Sequence, residues 1–233
     1  MSRIDLPSPV PRAVPESWSP FQLATVSKRY LPIPSNSTPI DPTFFSTLSS
    51  RQTRRNLGEL TFDDLSQLLW HSFKVNRALP PSSAVRWQHR PVASAGGLHC
   101  IGVLIVSDAA VDVYDPVGHA LEALQVEREA LQGLLREMDS MIEVGHATLL
   151  WFAADYDLMN SKYEHSESLV WRDAGALLAT ICLVAEALKL GCCPIGITGE
   201  PYISAMLNSS GRVAGVGGIL VGTRLSSLGS QEN

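Results

Sequence analysis

The sequence predicts an α+β fold, a sheet covered by helices, and three observations carry that reading. Short apolar runs rich in β-branched residues stand well apart along the chain, at residues 101–106 and 216–221. Longer segments place apolar residues at helical spacing. The predicted helices outnumber the strands, which suits helices packed on a sheet.

The elements follow in chain order. Nine of the 15 prolines fall in the first 42 residues, so residues 1–40 are expected to form an extended or disordered arm. Such an arm could wrap a partner subunit. The main domain is placed at residues 41–226 and a short tail at 227–233. Asp41 can cap a first helix whose opening residue is Pro42, with Phe44, Phe45 and Leu48 on one face, ending near Arg51. Thr61 and Asp64 approximate a capping box for a second helix bearing Leu65, Leu68, Leu69 and Phe73. Residues 101–106 and 111–114 read as a strand pair, 120–138 as an amphipathic helix and 147–154 as a further strand. Between Asp173 and Leu190 apolar residues cover nearly every helical face, which predicts burial on all sides, within one core or between subunits. Gly191 is the expected C-terminal cap of that helix. Residues 194–197 and 216–221 close the chain as strands.

Composition bounds the function. A chain of 233 residues with 45% hydrophobic and 18% charged content is a soluble globular protein, which excludes disorder, collagen and a disulfide scaffold. The net charge of 18 minus 23, or -5, gives no reason to expect nucleic acid. Glu186 and Lys189 interrupt the longest apolar stretch, leaving less than the roughly 20 residues a bilayer crossing needs. Residues 1–20 lack the continuous apolar core of a secretory signal. Cys100, Cys182, Cys192 and Cys193 have no metal or redox spacing and read as buried, reduced thiols of a cytoplasmic protein. The six histidines are scattered, so no metal site is expected.

Three segments could carry chemistry. Arg51-Gln52-Thr53-Arg54-Arg55 gathers three guanidiniums and a hydroxyl, a donor set matched to a phosphate monoester, although a basic run also reads as a solvated face. Ser94-Ala95-Gly96-Gly97-Leu98-His99 holds two consecutive glycines, which let backbone amides approach a flat ligand, or simply make a turn. Lys162-Tyr163 sets an amine beside a phenol, either of which could serve as general acid or base, or the pair is a surface lysine beside a packing tyrosine.

Taken in this order, these segments resemble the nitroreductase superfamily of FMN flavoproteins, and within it the SagB-type, azoline-oxidising dehydrogenases. The resemblance spans about residues 43–225. The segment from Ser94 to His99 is similar to the branch's Pro-Ser-Ala-Gly-Gly-Leu-His motif, with Ala93 in place of the proline. The arginine motif, the Leu65 to Trp70 helix, Lys162-Tyr163, Asp173-Ala174-Gly175 and residues 191–196 follow in the family's order. The resemblance implies a mostly antiparallel sheet and a homodimer with FMN at the subunit interface. It implies that Arg51, Thr53, Arg55 and Arg224 hold the FMN phosphate, with Gln52 facing the ribityl chain or ring edge. Ser94, Ala95, Gly96, Gly97 and Leu98 would lie along the isoalloxazine, and backbone amides of Pro194-Ile195-Gly196-Ile197 would face its N5 and O4. It implies that Lys162 or Tyr163 is the catalytic base. After this pair the family continues with a glycine and an Arg-Gly-Tyr-Arg run, whereas Glu164-His165-Ser166-Glu167-Ser168 stands here.

The implied function is an FMN-dependent oxidoreductase that dehydrogenates a heterocycle or a carrier- or peptide-linked intermediate in natural-product biosynthesis. Two alternatives stand beside it. One is an NAD(P)H-dependent nitro or quinone reductase using the same site. The other is a non-catalytic flavin-binding or scaffold subunit.

Overall fold

The computed structural model describes residues 6–34, 43–80, 83 and 86–225. In chain order the elements are β1 (Val10–Pro11), β2 (Thr25–Tyr30), α1 (Phe44–Ser50), β3 (Leu57–Gly58), α2 (Phe62–Phe73), β4 (Arg77–Ala78), β5 (Gln88–His89), β6 (Ile101–Val106), β7 (Val111–Asp115), β8 (Ala120–Leu124), α3 (Arg128–Met141), β9 (Thr148–Asp155), α4 (Tyr156–Lys162), β10 (Tyr163–Glu164), α5 (Glu167–Ala187), β11 (Leu190–Ile195), α6 (Tyr202–Met206) and β12 (Val213–Arg224). The main sheet runs β11-β12-β9-β6-β7-β8-β2, with β3 added beside β12. Its pairings are all antiparallel among the described residues, as expected.

Side chains alternate across the sheet, and both faces are covered. In β9, Leu150, Phe152 and Ala154 enter one core with α2 and α5, while Leu149, Trp151 and Ala153 enter a second with α3 and α6. A central strand buried on both faces reads as a continuous apolar run, and residues 149–154 do so. The α2 capping box forms as the sequence predicts: the Thr61 hydroxyl accepts from Asp64 N and the Asp64 carboxylate from Thr61 N.

Three expectations need correction. The α1 cap is Thr43, whose Oγ1 accepts from Ser46 N; Asp41 and Pro42 lie outside the described residues, as does the tail at 227–233. The segment at 120–138 is a strand followed by a helix, because residues 120–124 find ladder partners on both sides, in β7 and β2, and Glu127 then caps α3. Gly191 does not cap α5. The helix closes at Leu188, Lys189 takes the left-handed turn at φ 60°, and Gly191 sits within β11, which starts earlier than residue 194 and ends at Ile195.

The described part of the arm, residues 6–34, runs along its own chain. Residues 25–30 form the edge strand β2, and β1 pairs with β10, placing Pro11 opposite Tyr163. Arg12 N–H donates to Lys162 O, and its guanidinium to Asn160 O, with an ion pair to Glu164.

In the single chain the burial of α5 is one-sided. One stripe is buried, through Val170, Asp173, Ala174, Leu177, Ile181 and Ala185, while Trp171, Gly175 and Ala179 are exposed. By length and composition α5 is long and apolar enough to cross a membrane, and here it packs on the sheet. All four cysteines are buried and unbridged.

Candidate functional site

The diglycine bend is held by one buried carboxylate. Ser94 Oγ donates to Asp173 Oδ2 at 2.6 Å, and Ala95 N donates to the two Asp173 oxygens at 3.0 and 3.2 Å. His99 N then donates to Ser94 Oγ at 2.9 Å, so the hydroxyl is used in both directions. Burial pushes the Asp173 carboxyl above its ordinary range, and the bonds from Ser94 and Ala95 oppose that push. Gly96 and Gly97 sit at φ 60° and 66°, and His99 follows at 49°. These are left-handed conformations that glycine adopts without strain.

The bare faces of those glycines are taken by the chain itself. A Cβ on Gly96 would stand 2.7 Å from both Lys162 Nζ and Tyr163 Oη, and one on Gly97 would stand 2.6 Å from the Trp87 ring. In the single chain the space left by the missing Cβ atoms is occupied by Lys162, Tyr163 and Trp87. Lys162 Nζ donates to Gly96 O at 3.2 Å, joining the end of α4 to the bend. The Leu98 side chain is fully buried in the core.

The arginine segment forms a second place. An open cleft of about 460 Å³ is lined by Gln52, Thr53, Arg54, Arg55, Asn56, Arg224 and Leu225. Arg51 is outside that lining and acts instead on the Cys182 and Cys192 thiols from nearby. Among the described residues, the side chains of Arg51, Gln52, Thr53 and Arg55 make no hydrogen bond or ion pair, and the buried Arg54 Nε is unpaired. Arg224 differs. Its guanidinium pairs with Glu186 Oε2 at 2.9 Å and donates to Leu190 O and Glu186 O, so it satisfies carbonyls at the end of α5.

The strand β11 connects this cleft to the last candidate segment. Arg54 N donates to Cys192 O. Four residues further on, about 13 Å at the rise of an extended strand, Gly196 is exposed, with nothing within 4 Å of the place a Cβ would take. No turn or loop hydrogen bond engages the N–H of Gly196 or Ile197 among the described residues. Pro194 and Ile195 remain in the ladder, and the Ile195 and Ile197 side chains pack on the second core. The bend with Lys162 and Tyr163, and the cleft with Arg55 and Arg224, are thus separate places on one chain.

Sequence reasoning missed the roles of Asp173 and Trp87, whereas His99 already stood in the candidate loop segment. Asp173 anchors the bend, and its signal is an acid inside an otherwise apolar helical stretch. Trp87 closes one side of the bend without any motif to announce it. His99, whose Nε2–H donates to Gln88 O at 3.0 Å, is buried, and burial beside Arg90 pulls its imidazole down to about 4.

The comparisons agree with this architecture. The nitroreductase family profile, described as "Nitroreductase family", matches residues 49–223. A nitroreductase-like protein of Ralstonia eutropha JMP134 superposes with a TM-score of 0.67 at 23% identity, covering 91% of this chain and 98% of its own. The Escherichia coli microcin synthetase McbBCD complex, with truncated pro-MccB17 bound, contains a chain with a TM-score of 0.56 at 19% identity, covering 83% and 77%. A nitroreductase-like protein of Desulfovibrio desulfuricans in complex with FMN gives 0.50 at 14% identity, covering 83% and 92%. Among curated proteins none matches this sequence. With three quarters of its length inside the family profile and an antiparallel sheet enclosed by helices on both faces, the chain belongs to the nitroreductase family of oxidoreductases.

Proposed function

We propose that this protein is an FMN-dependent, SagB-type dehydrogenase acting on a heterocycle or on a carrier- or peptide-linked intermediate in natural-product biosynthesis, in the cytoplasm. The observation that carries this reading is the convergence on one bend of three segments far apart in sequence: Gly96, the Lys162-Tyr163 pair and Asp173. The neighbour that holds a bound pro-peptide supports the substrate class, and the neighbour in complex with FMN supports the cofactor.

The donor set fits the cofactor. An unpaired buried Arg54 Nε beside the uncommitted donors of Thr53 and Arg55 is chemistry suited to a phosphate. Arg55, Thr53 and Arg54 would hold it, with Gln52 at the rim and Arg51 adding its charge. Arg224 would act as a positioning residue that fixes the end of α5. The N–H groups of Gly196 and Ile197, engaged by no turn or loop bond among the described residues, would donate to the ring, and Ser94, Ala95, Gly96 and Gly97 would support it through their backbone. Leu98 would do so only by packing beneath. When bound, the flavin supplies a hydride acceptor. A second copy, packed on the exposed face of α5 that carries Trp171, Gly175 and Ala179, would bring the two places into one site.

Lys162 or Tyr163 would accept the substrate proton at Nζ or Oη. The Lys162 bond to Gly96 O holds that amine at the bend, and the pairing of Pro11 with Tyr163 fixes the backbone behind it. The visible absorption spectrum of the purified protein, with identification of any released chromophore, tests the cofactor. Lys162→Ala and Tyr163→Phe should stay yellow and lose about 10² to 10⁴ in turnover in whichever carries the base. Full turnover in both variants removes the base. Rapid flavin reduction by NAD(P)H alone would indicate the reductase instead, and a colourless protein that takes up no added FMN would indicate the scaffold.

A further inference from the structure

Behind His99 lies a second cavity, of about 170 Å³, well above the ~10–15 Å³ that one water needs. Two arginines line it, Arg86 and Arg90, and Arg90 is only 7% exposed. Buried cations are ordinarily paired with carboxylates. Here, among the described residues, neither guanidinium has an ion pair. Both turn to one neutral oxygen: Gln88 Oε1 accepts from Arg90 Nε at 3.0 Å, from Arg90 Nη2 at 2.5 Å and distantly from Arg86 Nη2 at 3.5 Å.

The acid on the wall does not resolve this. Asp155 lines the cavity, but its carboxylate pairs with Arg212 at 3.1 Å and accepts from Trp18 Nε1. Asp115, which acts on Arg90 from farther away, is paired with Lys28. Burial and the Arg86 charge pull the Arg90 guanidinium down to about 10, and burial with the Arg90 charge pulls down His99. Tyr114 and Cys100 are held neutral, burial pushing both upward. The remaining lining is largely apolar, with Phe73, Ile101, Val103 and Leu158.

We infer that this cavity binds a small carboxylate anion, its two oxygens facing the guanidiniums of Arg86 and Arg90 and its short alkyl end against the apolar wall. The planar fork of arginine matches a carboxylate in two hydrogen bonds. The inference stands apart from the flavin reading.

The test titrates acetate, propionate and butyrate into the full-length protein at pH 7.5 and constant ionic strength, with sodium chloride and neutral acetamide as controls. At a hundredfold excess over Kd the melting temperature should rise by about 5 to 10 °C. Arg90→Gln and Arg86→Gln should each weaken acetate binding at least tenfold, and Arg55→Ala, in the separate cleft, should leave it unchanged. If acetamide or chloride does as much as acetate, the site is not a carboxylate site. If Arg55→Ala abolishes the effect, the anion sits in the arginine cleft and the inference fails. Should Arg90→Gln not fold, Arg86→Gln and the acetate-acetamide comparison decide the matter alone.

Discussion

The bend and the arginine cleft are built on opposite principles. At the bend every polar partner comes from the chain: Asp173 takes Ser94 and Ala95, Ser94 takes His99, and Lys162 takes Gly96. In the cleft, Thr53 and Arg55 have no partner among the described residues, and Arg54 Nε is buried without one. A buried polar group left unpaired costs stability, whereas exposed donors lose little by waiting in water. The bend is therefore a product of folding, whereas the proposed reading has the cleft completed by a ligand. Substitutions should separate the two, moving stability at one and affinity at the other.

The largest effect is expected at Gly97→Ala. The new Cβ must take φ 66° and meet the Trp87 ring. A left-handed non-glycine residue costs roughly 1–2 kcal/mol and overpacking about 1–3 kcal/mol. Stability should fall by about 2–5 kcal/mol in urea unfolding. A midpoint within experimental error of the parent would mean the bend is not the rigid part of the site.

Arg55→Ala is the counterpart in the cleft. Its exposed side chain holds nothing in the fold, so stability should change by less than about 0.5 kcal/mol. FMN affinity should fall by about 1.5–3 kcal/mol, the worth of a charged hydrogen bond, read as the concentration at which fluorescence of the free flavin is half quenched. Unchanged affinity would remove the phosphate assignment. A large loss of stability instead would break the contrast itself.

The sequence made legible what depends on periodicity and local caps. The Thr61 box, the β6–β7 pair and β9 all lie within a residue or two of their expected places. It hid what depends on distant partners. All six β2 residues are exposed, so no apolar alternation marks that strand, and it exists because β8 offers it a ladder. Residues 120–124 are good helix formers that pairing on two sides turns into a strand. The motifs at residues 51–55, 94–99 and 162–163 were visible as residue types. Their division into a closed bend and an open cleft was not, because Trp87 and Asp173 come from elsewhere in the chain.

His99 offers a pH test of the closed side. Its folded-state value, about 4, lies below the ordinary histidine value of 6.5, through burial first and Arg90 second. The unfolded chain therefore takes up a proton between those values that the folded chain refuses. Stability from this group is complete above pH 6.5 and is lost as the pH falls toward 4. Allowing for solvent screening, the loss should be about 1–3 kcal/mol. His99→Asn, which tolerates the positive φ, should flatten that part of the stability profile. An unaltered acid slope in the variant would place the titrating group elsewhere.

The smallest effect tests how far the closed side extends. Arg12 fastens the N-terminal arm behind the Lys162-Tyr163 pair, through its N–H on Lys162 O, its guanidinium on Asn160 O and ion pairs with Glu16 and Glu164. These contacts are at the surface, so Arg12→Ala should lower global stability by no more than about 1 kcal/mol. A local measurement reads more. If the arm is part of the corner, amide hydrogen exchange at Lys162, Tyr163 and Glu164 should quicken in the variant while exchange in the β9 core stays as it was. Equal protection in both proteins would mean that Asp173 and Gly96 hold the pair from inside, and that the arm merely lies across it.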